Sequence, residues 1–385
     1  MSITGLERLI GNGALLLKGR RVGLITHPAA VTRDLTDSVT ALMQCGITLT
    51  ALFAPEHGFA GVVADGQRVP DAVHKGTHLP IYSLYGATPE PTPAMLADVE
   101  ILVFDMQDVG TRFYTFISTL FYALKGAAKA HIPMVVLDRP NPINGVTCEG
   151  PVLTPGFESF VGVASLPLRY GLTIGELAHS MNHAQKINAE LTVIPLAEWR
   201  RELWFDETGL PWIPPSPAMP HVSTAVVYPG MCLLEGTNVS EGRGTALPFE
   251  VCGAPWIEGE ALAADLNALA LSGVRFRPTQ FVPTASKFAG ELCEGVQVHV
   301  MDRTAFRPVT VGLHLLAVLK RLYAAEFAWL PPSEEGAPPH IDLLAGTDRV
   351  RSAIDAGVDV VELVAEWAEA VAGFEEACRP YWLYT

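Results

Sequence analysis

The chain has 385 residues, 49% of them apolar and only 17% charged, which excludes disordered and fibrous classes and leaves two domains or one large α/β unit with an appendage. Lysine and arginine number 26 against 41 aspartates and glutamates, a net charge of −15; no basic run longer than Arg20-Arg21 adjoins an aromatic platform, so a general nucleic-acid partner is not expected. The same negative field repels anionic ligands, and an acidic substrate would need local arginines to hold it.

At the start, Met1 to Arg8 contains no cationic stretch leading into an apolar one, and nowhere do 18 apolar residues follow one another; the expectation is a cytoplasmic chain without a membrane partner. Residues 21–26 (RVGLIT) read as a buried strand, 34–44 as an amphipathic helix ending at Gly46, and 47–54 (ITLTALFA) as the next strand. Residues 102–105 and 134–138 (MVVLD) repeat the strand pattern around a helix over 114–130. Strands alternating with helices predict a Rossmann-like parallel sheet. Beyond residue 150 the pattern loosens, then 173–185 gives a helix with Thr173 as N-cap and Glu176 as its capping-box partner. A further strand is expected at 192–195. The Pro-rich stretch 212–217 marks either a domain border or an ordered loop over a cleft. We place the border near 225, giving a Rossmann-like catalytic domain over 1–225 and a smaller α/β domain over 226–385 that completes the cleft. The latter contains a strand at 295–300 and a helical C-terminus over 348–377 in two capped segments. Six cysteines lie scattered, without paired spacing, and read as reduced thiols.

In open α/β sheets ligands sit beyond the carboxyl ends of the strands. There the sequence places Glu56 and His57 after the second strand; Asp105, Asp108 and Arg112 after the next; and Asp138, Arg139 and Asn141 after MVVLD. Charged groups at the end of an apolar strand are costly to desolvate unless paired or functional. Asp105 and Asp138 have an alternative role, capping helices or pairing with Arg112 and Arg139. Glu56, half-buried against Phe53 and Phe59, would have the raised pKa that suits a general acid. His57, with His74 and His78 nearby, is a metal candidate, but HExxH and Cys-His spacings are absent. Dinucleotide, Walker and GxSxG signatures are absent as well. Further on, Glu235, Asn238, Glu241 and Arg243 crowd one glycine-rich stretch, EGTNVSEGRGT, where Arg243 could grip a carboxylate through two parallel hydrogen bonds.

The strings LITHPAAV, LFAPEHGF, FDMQDVGTRFYT, LDRPNPING, TIGELA, PSPAMP, YPGMCLLEGTNVSEGRGT, GVQVHVMDR, GTDRVRSAIDAG and RPYWLY together resemble the exo-β-N-acetylmuramidase (NamZ-type) glycosidases, formerly a domain of unknown function. The resemblance spans nearly the whole chain. It implies a Rossmann-like domain plus a smaller C-terminal α/β domain, and release of N-acetylmuramic acid from the non-reducing end of peptidoglycan fragments. It also implies wall-sugar recycling in the cytoplasm, with an amino sugar or muropeptide as the partner molecule and no cofactor or metal. The family's proposed catalytic glutamate maps onto Glu56. One departure is Tyr170, where relatives carry His. Glycoside cleavage needs an acid for the leaving oxygen and a second group for the oxocarbenium-like centre, here Asp105, Asp108, Glu241 or the sugar's own acetamido group. The lactyl carboxylate calls for Arg243 or Arg112. Two rival readings are a non-catalytic amino-sugar-binding module and a metal-dependent hydrolase built on His57.

Overall fold

Short apolar runs become strands buried on both faces, as a parallel sheet covered by helices requires. In the computed structural model, which describes residues 1–385, seven strands make one sheet: β1 (Arg21–Thr26), β2 (Thr48–Ala54), β3 (Ala72–Val73), β4 (Pro80–Ser83), β5 (Ile101–Asp105), β6 (Met134–Leu137) and β7 (Leu191–Ile194). Their order is β3-β4-β2-β1-β5-β6-β7, parallel throughout except for the edge pair β3 and β4. The chain runs from β1 to β2 on one side, and β5 lies on the other. Strand order therefore reverses at β1, the arrangement that opens a crevice beyond the strand ends. The Rossmann-like expectation holds.

The first helices are α1 (Gly5–Gly11), α2 (Ser38–Gln44), α3 (Phe116–Ala130) and α4 (Ile174–Ala184). α2 begins later than its pattern suggests: Leu35 takes φ +62°, and Asp37 caps the helix by accepting from Thr40 N at 2.9 Å. The Thr173 and Glu176 capping box forms as expected. Next come α5 (Val222–Met231), α6 (Gly259–Ala268) and α7 (Pro308–Leu322), with an antiparallel sheet of β8 (Val251–Ala254), β9 (Val274–Phe281) and β10 (Cys293–Val300) in the order β8-β10-β9. Gly230 and Gly312 let α5 and α7 touch backbone to backbone: a Cβ on Gly230 would lie 1.8 Å from Pro308 O.

The C-terminal helical region holds α8 (His340–Ala345), α9 (Arg349–Asp355), α10 (Val360–Ala365) and α11 (Ala368–Cys378). Three helices thus occupy 348–377, where two were expected, because Gly357 at φ +69° ends one run and Asp359 caps the next by accepting from Val361 N. The last residues fold back onto the first sheet. The Tyr384 hydroxyl donates to Asp138, Leu383 N donates to Glu176, and Trp382 lies 4.2 Å from the Arg201 guanidinium. The larger apolar core runs without a break from Phe104 and Phe116 through Tyr228 and Phe249 to Leu313, so both halves share one floor beneath the cleft. No helix is long and apolar enough to cross a membrane.

Candidate active site

After β2 the chain turns sharply: His57 and Gly58 both take positive φ, +69° and +75°. For histidine this costs about 1–3 kcal/mol and marks a turn imposed by its surroundings. Two hydrogen bonds brace it. His57 Nδ1 donates to Val63 O at 2.8 Å, and His57 O accepts from Val63 N at 3.1 Å. The turn leaves Glu56 only 7% exposed, on the wall of a cavity of about 220 Å³.

Glu56 Oε1 accepts from the Gly66 amide at 2.9 Å and Oε2 from the Thr115 hydroxyl at 2.6 Å. Thr115 is the N-cap of α3, yet its side chain makes no capping bond; the hydroxyl serves the glutamate instead, and the positive end of the helix adjoins the carboxyl. The expected apolar bed is not what holds Glu56, since Phe53 packs on Tyr82 and Phe59 on His74. Tyr85 faces the same carboxyl, and burial together with the charge of Glu56 pushes its phenol above the ordinary range.

The opposite wall comes from the second half of the chain: Tyr228, Cys232, Glu235, Arg243, Phe249 and His340. Ser216 and Met219 close one side, so the Pro-rich stretch is an ordered loop at the cleft. Tyr228-Pro229-Gly230 belongs to α5, and Glu235 to the 3-10 turn that follows it. Arg243 lies 4.9 Å from the Phe249 ring centre. It donates through Nε and Nη2 to Glu235 Oε1 at 2.9 and 2.6 Å and through Nη1 to Asp65 Oδ1 at 3.2 Å. Burial works to raise the Glu235 carboxyl, but Arg243 and His340 overcome it and hold the group well below the usual range. Three carboxyls therefore face the cavity, Glu56, Asp65 and Glu235. Asp65 and Glu235 are ion-paired to Arg243, whereas Glu56 touches only neutral donors.

A family model for the N-terminal part of the exo-β-N-acetylmuramidase NamZ matches residues 22–223, and the model for its C-terminal part matches 226–384. The chain belongs to the NamZ family. A similar protein, the peptidoglycan β-N-acetylmuramidase NamZ of Bacillus subtilis, is 45% identical over 382 residues, covering 99% of this chain and 91% of that one. Two solved structures of DUF1343 family proteins from Bacteroides fragilis also resemble it over 100% of this chain and 99% of theirs. One has a TM-score of 0.92 at 36% identity, the other 0.77 at 29%. The cavity lies where the two NamZ matches meet, with Glu56, Tyr85 and Thr115 from the first and Glu235, Arg243 and His340 from the second.

The other charged residues at strand ends in this NamZ chain lie off the cavity. Asp105 is fully buried, paired to Arg139 Nε at 2.6 Å and Nη2 at 3.0 Å and hydrogen-bonded by Ser38; that ion pair occupies the carboxyl and removes it from the chemistry. Asp138 caps α4, accepting from Gly175 N at 2.7 Å and the Thr173 hydroxyl at 2.8 Å. Arg112 is corrected too: its guanidinium is inaccessible, spent on the carbonyls of Pro151, Leu166 and Leu344, and burial lowers it to about 9. Asp108 is buried and accepts from Gly110 N at 2.7 Å and from the Tyr170 hydroxyl. Glu241 lies one layer behind the cavity, at 3.0 Å from Lys287 Nζ and 3.6 Å from Arg243 Nε. Asn141 and Asn238 brace loops through backbone groups of Leu172, Ile143, Glu326 and Ala328.

Sequence reasoning missed Asp65, Tyr85, Tyr114, Thr115 and His340 on the cavity wall. Tyr114 and Thr115 carried a usable signal, polar groups at the N-terminus of a helix that follows a strand. Asp65 and Tyr85 sit in irregular loops that carry none. No group of three or more His, Cys, Asp or Glu side chains is arranged to hold a metal ion, and His57 is committed to Val63 through Nδ1.

Proposed function

We propose that this NamZ-family glycoside hydrolase removes a terminal N-acetylmuramic acid residue from peptidoglycan fragments, with Glu56 donating the proton to the departing sugar oxygen. One observation carries the assignment: Glu56 is the only carboxyl on the cavity wall without a cationic partner. A carboxylate locked to arginine cannot deliver a proton at working pH, whereas one held by neutral donors can exchange it. The Thr115 hydroxyl donates to Oε2 of an ionised Glu56 and equally to one that carries its proton on Oε1, so the contact persists through the transfer. Arg243 is the cavity's one guanidinium, and we assign it to the lactyl carboxylate of the sugar. All six cysteines are unpaired, which suits the reducing interior and a role in recycling wall sugars.

The test is turnover of a chromogenic N-acetyl-β-muramide, with and without a chelator. The wild-type chain releases the chromophore in both conditions, and Glu56→Gln loses at least about a hundredfold in kcat. Full activity in that variant would remove Glu56 from the acid role; loss of wild-type activity with the chelator would favour the metal reading built on His57.

A further inference from the structure

Arg243 is the only guanidinium in reach of a substrate carboxylate, yet it is already surrounded by acids: Glu235, Asp65 and, at 3.6 Å, Glu241. A fourth carboxylate would put like charges against one another around a single cation. One of the three has to give way, and they are held very differently. Glu241 is 2% exposed at its side chain and also bound by Lys287. Glu235 is 20% exposed and takes two hydrogen bonds from the guanidinium. Asp65 is 54% exposed, takes one hydrogen bond, the longest of the set at 3.2 Å, and comes from an irregular stretch between β2 and β3.

We propose that Asp65 is a built-in stand-in for the substrate carboxylate, displaced from Arg243 Nη1 when a sugar acid binds. The inference rests on the muramidase reading and adds how the site tells acidic from neutral amino sugars. A half-exposed ion pair is weak enough to exchange, while an incoming carboxylate brings the same charge to the same nitrogen. A neutral sugar offers nothing to replace Asp65 and leaves it in place. The displacement leaves the acid in place. Asp65 is followed directly by Gly66, whose amide holds Glu56 Oε1, at a φ of +69° with no atom near the position a Cβ would take. The permissive backbone and open space at this glycine let the Asp65 side chain swing away while the Gly66 amide stays on Glu56.

The experiment compares wild type with Asp65→Asn and Asp65→Ala on the chromogenic muramide, and measures binding of N-acetylmuramic acid and N-acetylglucosamine by calorimetry. Relief from the internal competitor lowers KM for the muramide by about two- to fivefold, the range set by an exposed pair, with kcat moving less than about twofold, since in wild type Asp65 has already left. N-acetylmuramic acid binds tighter by the same factor, more in the alanine than in the asparagine variant, and N-acetylglucosamine binding stays put. An unchanged or higher KM, equal tightening for both sugars, or a kcat loss at unchanged KM would each overturn the proposal, the last by making Asp65 a positioning residue in the reacting complex. If the wild-type chain fails to cleave the muramide, the muramidase reading fails, and the calorimetric comparison still decides the fate of Asp65.

Discussion

The carboxyl ends of β2 and β5 receive the same kind of residue, an acid just past an apolar strand, and put it to opposite uses. Asp105 is completely buried and meets a full countercharge, Arg139, from the neighbouring strand end. Glu56, nearly as buried, meets an amide, a hydroxyl and a cavity. A carboxylate taken out of water must be compensated. Complete compensation by a guanidinium makes it chemically silent, whereas compensation by neutral donors leaves its proton exchangeable. Burial alone therefore does not mark a catalytic acid; the nature of its partner does.

The sharpest way to break this contrast is Glu56→Gln beside Asp105→Asn. Glu56→Gln is expected to cost about 10²- to 10⁴-fold in kcat with little change in the urea midpoint. Asp105→Asn should cost about 3–5 kcal/mol of unfolding free energy, because it leaves Arg139 buried and unpaired. Adding Arg139→Met should recover much of that loss. A variant at 105 that folds normally but is as inactive as the one at 56 would undo the distinction.

Strands β1, β2, β5 and β6 were legible because four- to seven-residue apolar runs between turn residues carry their own signal, and the Thr173 and Glu176 cap was legible because its spacing is local. The position of Glu56 after β2 followed from the rule for strand ends. The pairing of Asp105 with Arg139 was legible only as one alternative among several: those residues are 34 apart in sequence, and they meet because β5 and β6 are adjacent in the sheet, a fact no local pattern encodes. Arg112 misled for a related reason. An arginine after a strand reads as an anion-binding group, but three carbonyls from distant segments, one of them in α8, consume its guanidinium. Asp65 was overlooked because its partner, Arg243, lies 178 residues away.

Asp108 offers an intermediate case, an acid with neither a cation nor the cavity. Burial pushes it up to about 6, and its Oδ1 has no partner. A carboxyl whose folded-state pKa is raised binds its proton more tightly when folded. Its contribution to stability is complete below about pH 4 and is lost as pH rises through about 6. Unfolding free energies of wild type and Asp108→Asn, measured from pH 4 to pH 7, should show the wild-type advantage shrinking by about 3 kcal/mol on the way up. A difference independent of pH would mean that Asp108 is ionised in the folded chain.

The smallest expected effect falls on the opposite wall. Arg243→Lys keeps a positive charge among Glu235, Glu241 and Asp65 but replaces a planar fork with a point charge, so it no longer holds Glu235 through two nitrogens while offering a third to the sugar. The fold tolerates this because Lys287 still neutralises Glu241. KM for the muramide should rise by up to about tenfold, the scale of one charge-assisted hydrogen bond, while kcat changes much less because Glu56 and its donors are untouched. Binding of N-acetylglucosamine should barely move. A lysine variant that lost kcat instead would place Arg243 in the proton-transfer step, and the contrast between an acid left free and acids held by a cation would have to be redrawn around the guanidinium.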